Sequence, residues 1–186
     1  MTEGQQDIYI EFEDSTDSFE TWINKDFVPE DLKSQLSQAN VLIIPEEQVR
    51  NISGPVFPKG TEFLWRRFER NDVQNLKVEI CIGNEYEEYA FHGVDLILIA
   101  GFVVQNIVAP VVAMMVYDYI KGRMKKDEDS NAEVRFEMTV VLPDKTSKKI
   151  KYKGPASKFD KLIDAVKQVS SENQRDRVEI STLDKK

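Results

Sequence analysis

The chain has few of the residues that catalytic and metal sites use most. It contains one cysteine, Cys81, and one histidine, His92, among 186 residues. A lone cysteine excludes an internal disulfide bond, and one Cys with one His cannot supply the usual ligands of a zinc site. Glycine-rich phosphate-binding loops and the HExxH and GxSxG motifs are also missing. We therefore predict no metal, no cofactor and no enzymatic activity.

Basic residues are scarce in the first half of the chain. Residues 1–93 contain 8 Lys and Arg against 19 Asp and Glu, a net charge of −11, whereas residues 94–186 carry +3. The whole chain has a net charge of −8. Because nucleic-acid binding needs a basic surface, we expect no nucleic acid among the partners. A basic protein partner is compatible with the acidic half.

The amino-terminal sequence, MTEGQQDIYIEFED, lacks both the basic and the apolar region of a secretory signal, so we expect a cytoplasmic protein. A chain of this length is sufficient for one compact domain. It would combine an acidic α/β portion, residues 1–93, with a second portion, residues 94–186, that contains a hydrophobic helix, a β-hairpin and an amphipathic helix.

Residues 96–117, LILIAGFVVQNIVAPVVAMMVY, form an apolar run without any charge. Its length predicts one long hydrophobic helix, which could be buried in a core or a subunit interface, or inserted in a membrane. Two amides and a proline in its middle make insertion in lipid costly. The residues that characterise this helix are Leu96, Phe102, Gln105, Asn106, Pro110 and Met114.

Periodicity predicts the remaining elements. Strands are expected over residues 8–12 and 41–44, and helices over residues 18–24 and after Pro29, Thr61 and Pro155. Two β-hairpins are expected, one from residues 76–82 and 86–91 and one from residues 134–142 and 148–153, with a last strand at residues 178–180. Residues 45–60 are rich in turn formers and predict a long loop. Together these elements predict an α+β fold in which a mixed or antiparallel sheet with hairpins packs around one long, very hydrophobic helix.

Three arginines are candidates for a binding site. Arg66, Arg67 and Arg70 lie on the helix that follows the long loop, and guanidinium groups bind phosphates and carboxylates through paired hydrogen bonds. One hypothesis is therefore a small-anion or nucleotide sensor built from residues 45–70. The alternative is a solvated helix face without a ligand. The carboxylates of Asp72, Glu79, Glu85, Glu87 and Glu88 could pair as acid and base, but they are interpreted as solvated side chains of the first hairpin.

A second set of basic residues follows the apolar run. Such residues are typical of the cytoplasmic side of a membrane helix, and they could also contact anionic lipid or an acidic protein. Neutralisation by the acidic residues 127–129 is the alternative. The residues proposed for membrane or partner contact are Lys121, Arg123, Lys125, Lys126, Lys149 and Lys151.

The order of elements resembles that of the small effector-associated constant components of prokaryotic conflict systems. The resemblance rests on the first strand, the helix with Phe19 and Trp22, the apolar helix ending in basic residues, the second hairpin and the final helix. It implies a non-enzymatic adaptor between other modules, with a protein partner or self-association. A membrane-associated or membrane-disrupting effector that uses residues 96–117 is the alternative function.

Overall fold

A computed structural model describes residues 7–49, 52–83, 86–90, 96–124 and 131–183. The strands are β1 (Tyr9–Ser15), β2 (Val41–Ile44), β3 (Glu46–Val49), β4 (Ile52–Pro58), β5 (Val78–Ile80), β6 (Glu87–Tyr89), β7 (Leu96–Leu98), β8 (Gly101–Gln105), β9 (Glu133–Val141) and β10 (Ser147–Pro155). The α-helices are α1 (Phe19–Ile23), α2 (Glu30–Leu36), α3 (Thr61–Glu69), α4 (Ala109–Arg123) and α5 (Asp160–Leu183), the last preceded by a 3₁₀ turn (Ala156–Lys158).

The main sheet contains seven strands in the order β1-β10-β9-β8-β2-β5, and β7 also pairs with β9. Its neighbours are antiparallel except for β9 with β8, β9 with β7, and β2 with β5, which are parallel. A second sheet has the order β3-β4-β6. The prediction of an α+β fold with a mixed sheet is confirmed. Strands from both sides of residue 93 belong to the main sheet.

The helices cover the main sheet unequally. On one face, α3, α4 and α5 enclose the larger hydrophobic core, which includes Ile43, Phe102 and Phe136. On the other face, α1 and α2 cover only the end near β2, where Leu42 and Val103 are buried. Because β2 lies between two cores, all four of its residues are buried, as its uninterrupted apolar sequence predicted.

The prediction of one helix over residues 96–117 is wrong. Leu96 belongs to β7, Phe102 and Gln105 belong to β8, and Pro110 and Met114 belong to α4. The reason is that β8 finds strand partners on both sides, β2 and β9. A strand buried on both faces is as apolar as a buried helix, so hydrophobicity alone cannot separate the two.

The polar residues of the run mark the boundary between strand and helix. Gln105 is exposed, and the backbone N–H of Asn106 donates to the Val141 carbonyl at 3.0 Å in the turn after β8. Pro110 lies in the first turn of α4, where its missing N–H costs nothing. Among the described residues, no helix has both the length and the apolar character needed to cross a membrane.

Two further predictions about the first half are wrong. Residues 45–60 contain the antiparallel pair β3 and β4 instead of a long loop. β5 and β6 do not form a hairpin, because β5 pairs with β2 in the main sheet and β6 pairs with β4 in the second sheet. The turn formers in residues 45–60 lie within and between short strands.

In the second half of the chain, more of the observed elements agree with the predictions. β9 and β10 form the predicted hairpin, and the side chains of Val134, Phe136, Met138 and Val140 alternate into the core. Of the predicted apolar face of the last helix, Leu162, Ile163 and Val166 on α5 are buried, as is Phe159 directly before it. The short strand predicted at residues 178–180 is wrong, because α5 continues to Leu183.

Candidate functional site

The helix α3 presents three different faces. Thr61, Leu64 and Phe68 are buried, and the Phe68 ring packs 5.7 Å from that of Phe102 in the main sheet. The remaining side chains fall on two exposed faces, one toward α4 and one toward the second sheet. The helix predicted after Thr61 is confirmed. Because its third face is packed into the core, the positions of its two exposed faces are fixed relative to the main sheet.

Gly60 connects the start of α3 to α4. Its φ of 94° is in the left-handed region, which glycine adopts without strain. The Tyr119 hydroxyl donates to the Gly60 carbonyl at 3.1 Å, and an Arg123 guanidinium nitrogen lies 3.0 Å from the same hydroxyl. A Cβ at residue 60 would lie 2.8 Å from the Tyr119 oxygen. This close approach positions Arg123 beside α3.

A groove of about 820 Å³ lies between α3 and α4, and we call it the arginine groove. Its lining includes all three arginines that the sequence proposed as ligands, together with Arg123 from the second proposed set. The residues that line it are Glu62, Phe63, Arg66, Arg67, Arg70, Asn71, Tyr119, Gly122 and Arg123. The structure thus brings together four arginines from two separate predictions.

The charges in the arginine groove are only partly compensated. Arg66 donates from Nη2 and Nε to Oε1 of Glu62, at 2.6 and 3.0 Å. Within the part of the chain that the structure describes, Arg67 and Arg70 have no carboxylate partner. Among the described lining residues, four guanidinium groups share one carboxylate, in a protein whose net charge is −8. The groove is a local excess of positive charge, suited to an anionic ligand.

The other proposed basic residues lie elsewhere. Lys121 forms an ion pair with Asp118 at 3.0 Å, and its Nζ lies 4.4 Å from the centre of the Tyr117 ring. Lys149 and Lys151 lie on β10, where they pair with Asp17 at 2.9 Å and Glu13 at 2.8 Å. Lys125 and Lys126 lie outside the described residues. Of the described members of this set, Arg123 lines the arginine groove.

The other exposed face of α3 borders a cleft of about 1090 Å³, which we call the acidic cleft. Its described lining has four carboxylates, from Glu62, Glu79, Glu87 and Glu88, and no lysine or arginine. Apolar and aromatic side chains form much of the remaining wall: Leu32, Ile52, Pro55, Val56, Trp65, Ile80, Ile82 and Tyr86. Sequence reasoning missed this cleft because its carboxylates come from α3, β5 and β6, which pair differently from the predicted hairpin.

Hydrogen bonds hold the acidic cleft against α3. The Glu88 carboxylate accepts from the backbone N–H groups of Gly60 at 3.3 Å and Glu62 at 3.4 Å, where the positive end of the helix dipole favours a carboxylate. The Tyr86 ring packs edge-on against Phe57 at 5.1 Å. Burial, followed by the nearby charges of Glu88 and Glu62, raises the pKa of the Tyr86 phenol. Tyr86 thus lines the cleft with an aromatic ring and an un-ionised hydroxyl group.

The described residues offer little for covalent or metal chemistry. Cys81 is buried, and this burial raises the pKa of its thiol to about 12, so the thiolate nucleophile is disfavoured. No group of three or more His, Cys, Asp or Glu side chains in the described ranges could hold a metal ion. His92 lies outside those ranges. The arrangement around α3 is suited to charge recognition.

Comparison with known proteins gives no relative from which a function could be transferred. The chain matches no protein-family model, no curated protein and no solved structure.

Proposed function

We propose that this protein is a non-enzymatic interaction module that binds an anionic segment of a protein partner in the arginine groove. The observation that carries the proposal is the position of Arg123, which comes from α4 and lies with Arg66, Arg67 and the C-cap residue Arg70 of α3. The four guanidinium groups repel one another in the free protein, and a bound anion reduces this repulsion. The adaptor components that the chain resembles belong to the same functional class.

The shape and lining of the groove favour a peptide. Phe63 is 74% exposed at the lining of the groove, beside arginines that can bind carboxylates. An exposed aromatic ring next to cations suits a segment in which acidic and apolar residues alternate. Arg67 and Arg70 would bind its carboxylates, and Phe63 would contact its apolar side chains.

A small phosphate-bearing ligand is the second candidate for the same groove. It is favoured by the planar guanidinium groups, which bind phosphate as readily as carboxylate. The two candidates differ in the role of Phe63, since a peptide of alternating residues uses it and inorganic phosphate does not.

The test is fluorescence anisotropy at low protein concentration. The probe is a short labelled peptide in which Glu alternates with Leu, and its partner probe has Gln in place of Glu. We expect the Glu peptide to bind more tightly, and the double substitution Arg67→Glu, Arg70→Glu to weaken binding about 100-fold, since each charge-assisted contact contributes on the order of 1.5 kcal/mol.

The matched control is Lys161→Glu, Lys167→Glu, which makes the same charge change at exposed positions of α5. Equal losses in the two variants would mean that net charge alone drives binding and would contradict the proposal. Displacement of the peptide by ATP or inorganic phosphate at lower concentration than by unlabelled peptide would replace it with the small-ligand candidate.

A further inference from the structure

One exposed stripe of α3 is both aromatic and basic. Phe63 and Arg67 of α3 and the C-cap residue Arg70 follow one another at intervals of four and three residues, so they lie along one side of the helix. Phe63 is 74% exposed, and both arginines are exposed without a carboxylate partner among the described residues. We call these three residues the stripe.

The acidic cleft has the complementary lining. Its apolar wall, including Ile80 and Trp65, can receive a phenyl ring, and its carboxylates are suited to guanidinium groups. Within the described residues, Glu87 is exposed and forms no ion pair, and Glu79 accepts one hydrogen bond, from Gln35 at 2.8 Å. Both carboxylates therefore retain acceptor capacity for a ligand.

We propose that the anionic partner of the arginine groove is a second copy of this chain, in which the acidic cleft receives the stripe. This inference rests on the proposed function and names the partner of the same site. The Phe63 ring contacts the apolar wall of the cleft, while Arg67 and Arg70 bind Glu79 and Glu87. Among the residues that the structure describes, Glu62 lines both surfaces.

Charge complementarity favours a second copy as the occupant. A net charge of −8 makes two copies repel each other overall, so association requires local attraction strong enough to overcome that repulsion. The acidic cleft and the arginine groove supply such attraction, since four carboxylates line one surface and four arginines line the other. Both surfaces are held on α3, whose buried face fixes their relative position.

The test measures the mass of the purified full-length chain by sedimentation velocity over a range of concentrations. The groove variant is Arg67→Glu, Arg70→Glu, and the cleft variant is Glu79→Lys, Glu87→Lys. We expect the mass of the unmodified chain to rise with concentration, whereas each variant alone stays monomeric. An equimolar mixture of the two variants should associate again, because each retains one intact surface and the exchanged charges attract.

Three controls keep the outcomes distinct. The Lys161→Glu, Lys167→Glu variant should associate like the unmodified chain, and circular dichroism checks that every variant is folded. Phe63→Asp, which leaves both arginines in place, should weaken association at least tenfold because it replaces the ring that contacts the apolar wall with a carboxylate. An unmodified chain that stays monomeric, or a mixture that fails to associate when the unmodified chain does, would overturn the inference. The proposed function would survive either result if the groove still binds the Glu peptide.

Discussion

The arginine groove and the acidic cleft lie on two sides of one helix and carry opposite charge, yet the sequence anticipated only part of the groove, its arginines at residues 66, 67 and 70. Three arginines of the groove lie within five residues of one another, Arg66 and Arg67 on α3 and Arg70 at its C-cap. The carboxylates of the cleft come from three elements whose pairing is set by distant strands. A site built from one helical segment is visible in a sequence, whereas a site assembled from separate strands depends on the fold.

The largest effect is expected from removing the support that both surfaces share. Phe68→Ala deletes a buried ring of α3 and should lower the free energy of unfolding by about 3–5 kcal/mol. Because α3 carries both surfaces, peptide binding in the groove and association through the cleft should weaken together. Chemical denaturation and the two binding assays measure this, with the exposed Phe63→Ala as the stability control. Loss of one surface alone would show that α3 is not the common support.

Cys81 reports on the region beneath the acidic cleft, since it follows Ile80 and precedes Ile82 of the cleft wall. Burial raises the pKa of its thiol from 9.0 to about 12, so at pH 8 the thiolate is about a thousandfold rarer than in an unfolded chain. A thiol reagent should therefore label the native protein at least that much more slowly than the urea-unfolded protein. Fast labelling of the native protein would show that the wall of the cleft opens readily.

The same pKa shift makes stability depend on pH. The unfolded thiol ionises near pH 9.0 and the folded thiol near pH 12. The stability contribution of the neutral thiol is therefore complete below about pH 9 and is lost as the pH rises toward 12. We expect Cys81→Ala to reduce this alkaline loss in denaturation curves recorded from pH 8 to pH 10. An unchanged pH slope would contradict the assignment.

A smaller effect is expected at Gly60. Gly60→Ala introduces strain at a φ of 94° and a contact of 2.8 Å with the Tyr119 hydroxyl, so it should cost about 1–3 kcal/mol. Arg123 is positioned through that hydroxyl, so groove binding should weaken by about tenfold. Direct titration with the Glu peptide measures the groove. Tyr119→Phe, which keeps Gly60 but removes the hydroxyl, should reproduce the loss of affinity with less loss of stability.

The smallest effect is expected on the open part of the main sheet. Lys151 pairs with Glu13 at 2.8 Å, but both side chains are partly exposed. Exposed ion pairs contribute less than about 1 kcal/mol, so Lys151→Met should change the free energy of unfolding by no more than that. Peptide binding should also stay within about twofold, because Lys151 lies outside the groove. A large loss of affinity would mean that the binding surface extends to β10.

The sequence predicted elements best where local periodicity and burial agree. The hairpin of β9 and β10 and the buried face of α5 were both visible in the alternation of their side chains. The prediction failed for residues 96–117. In β8, Phe102 and Val104 face one core and Val103 faces the other, so all three positions are apolar. Such a strand has the same uninterrupted hydrophobic pattern as a buried helix. The prediction also failed for β5 and β6, whose partners lie far along the chain.

The charge of the two halves, the cluster of Arg66, Arg67 and Arg70 and the absence of an internal disulfide follow from the amino-acid order alone. Long-range folding brings Arg123 to those arginines, leaves Lys149 and Lys151 on β10, and gathers carboxylates from separate elements in one cleft. The physical reason is that helical neighbours are set by short-range geometry. Strand pairing and burial depend on contacts between distant residues, because the hydrophobic effect has no direction of its own.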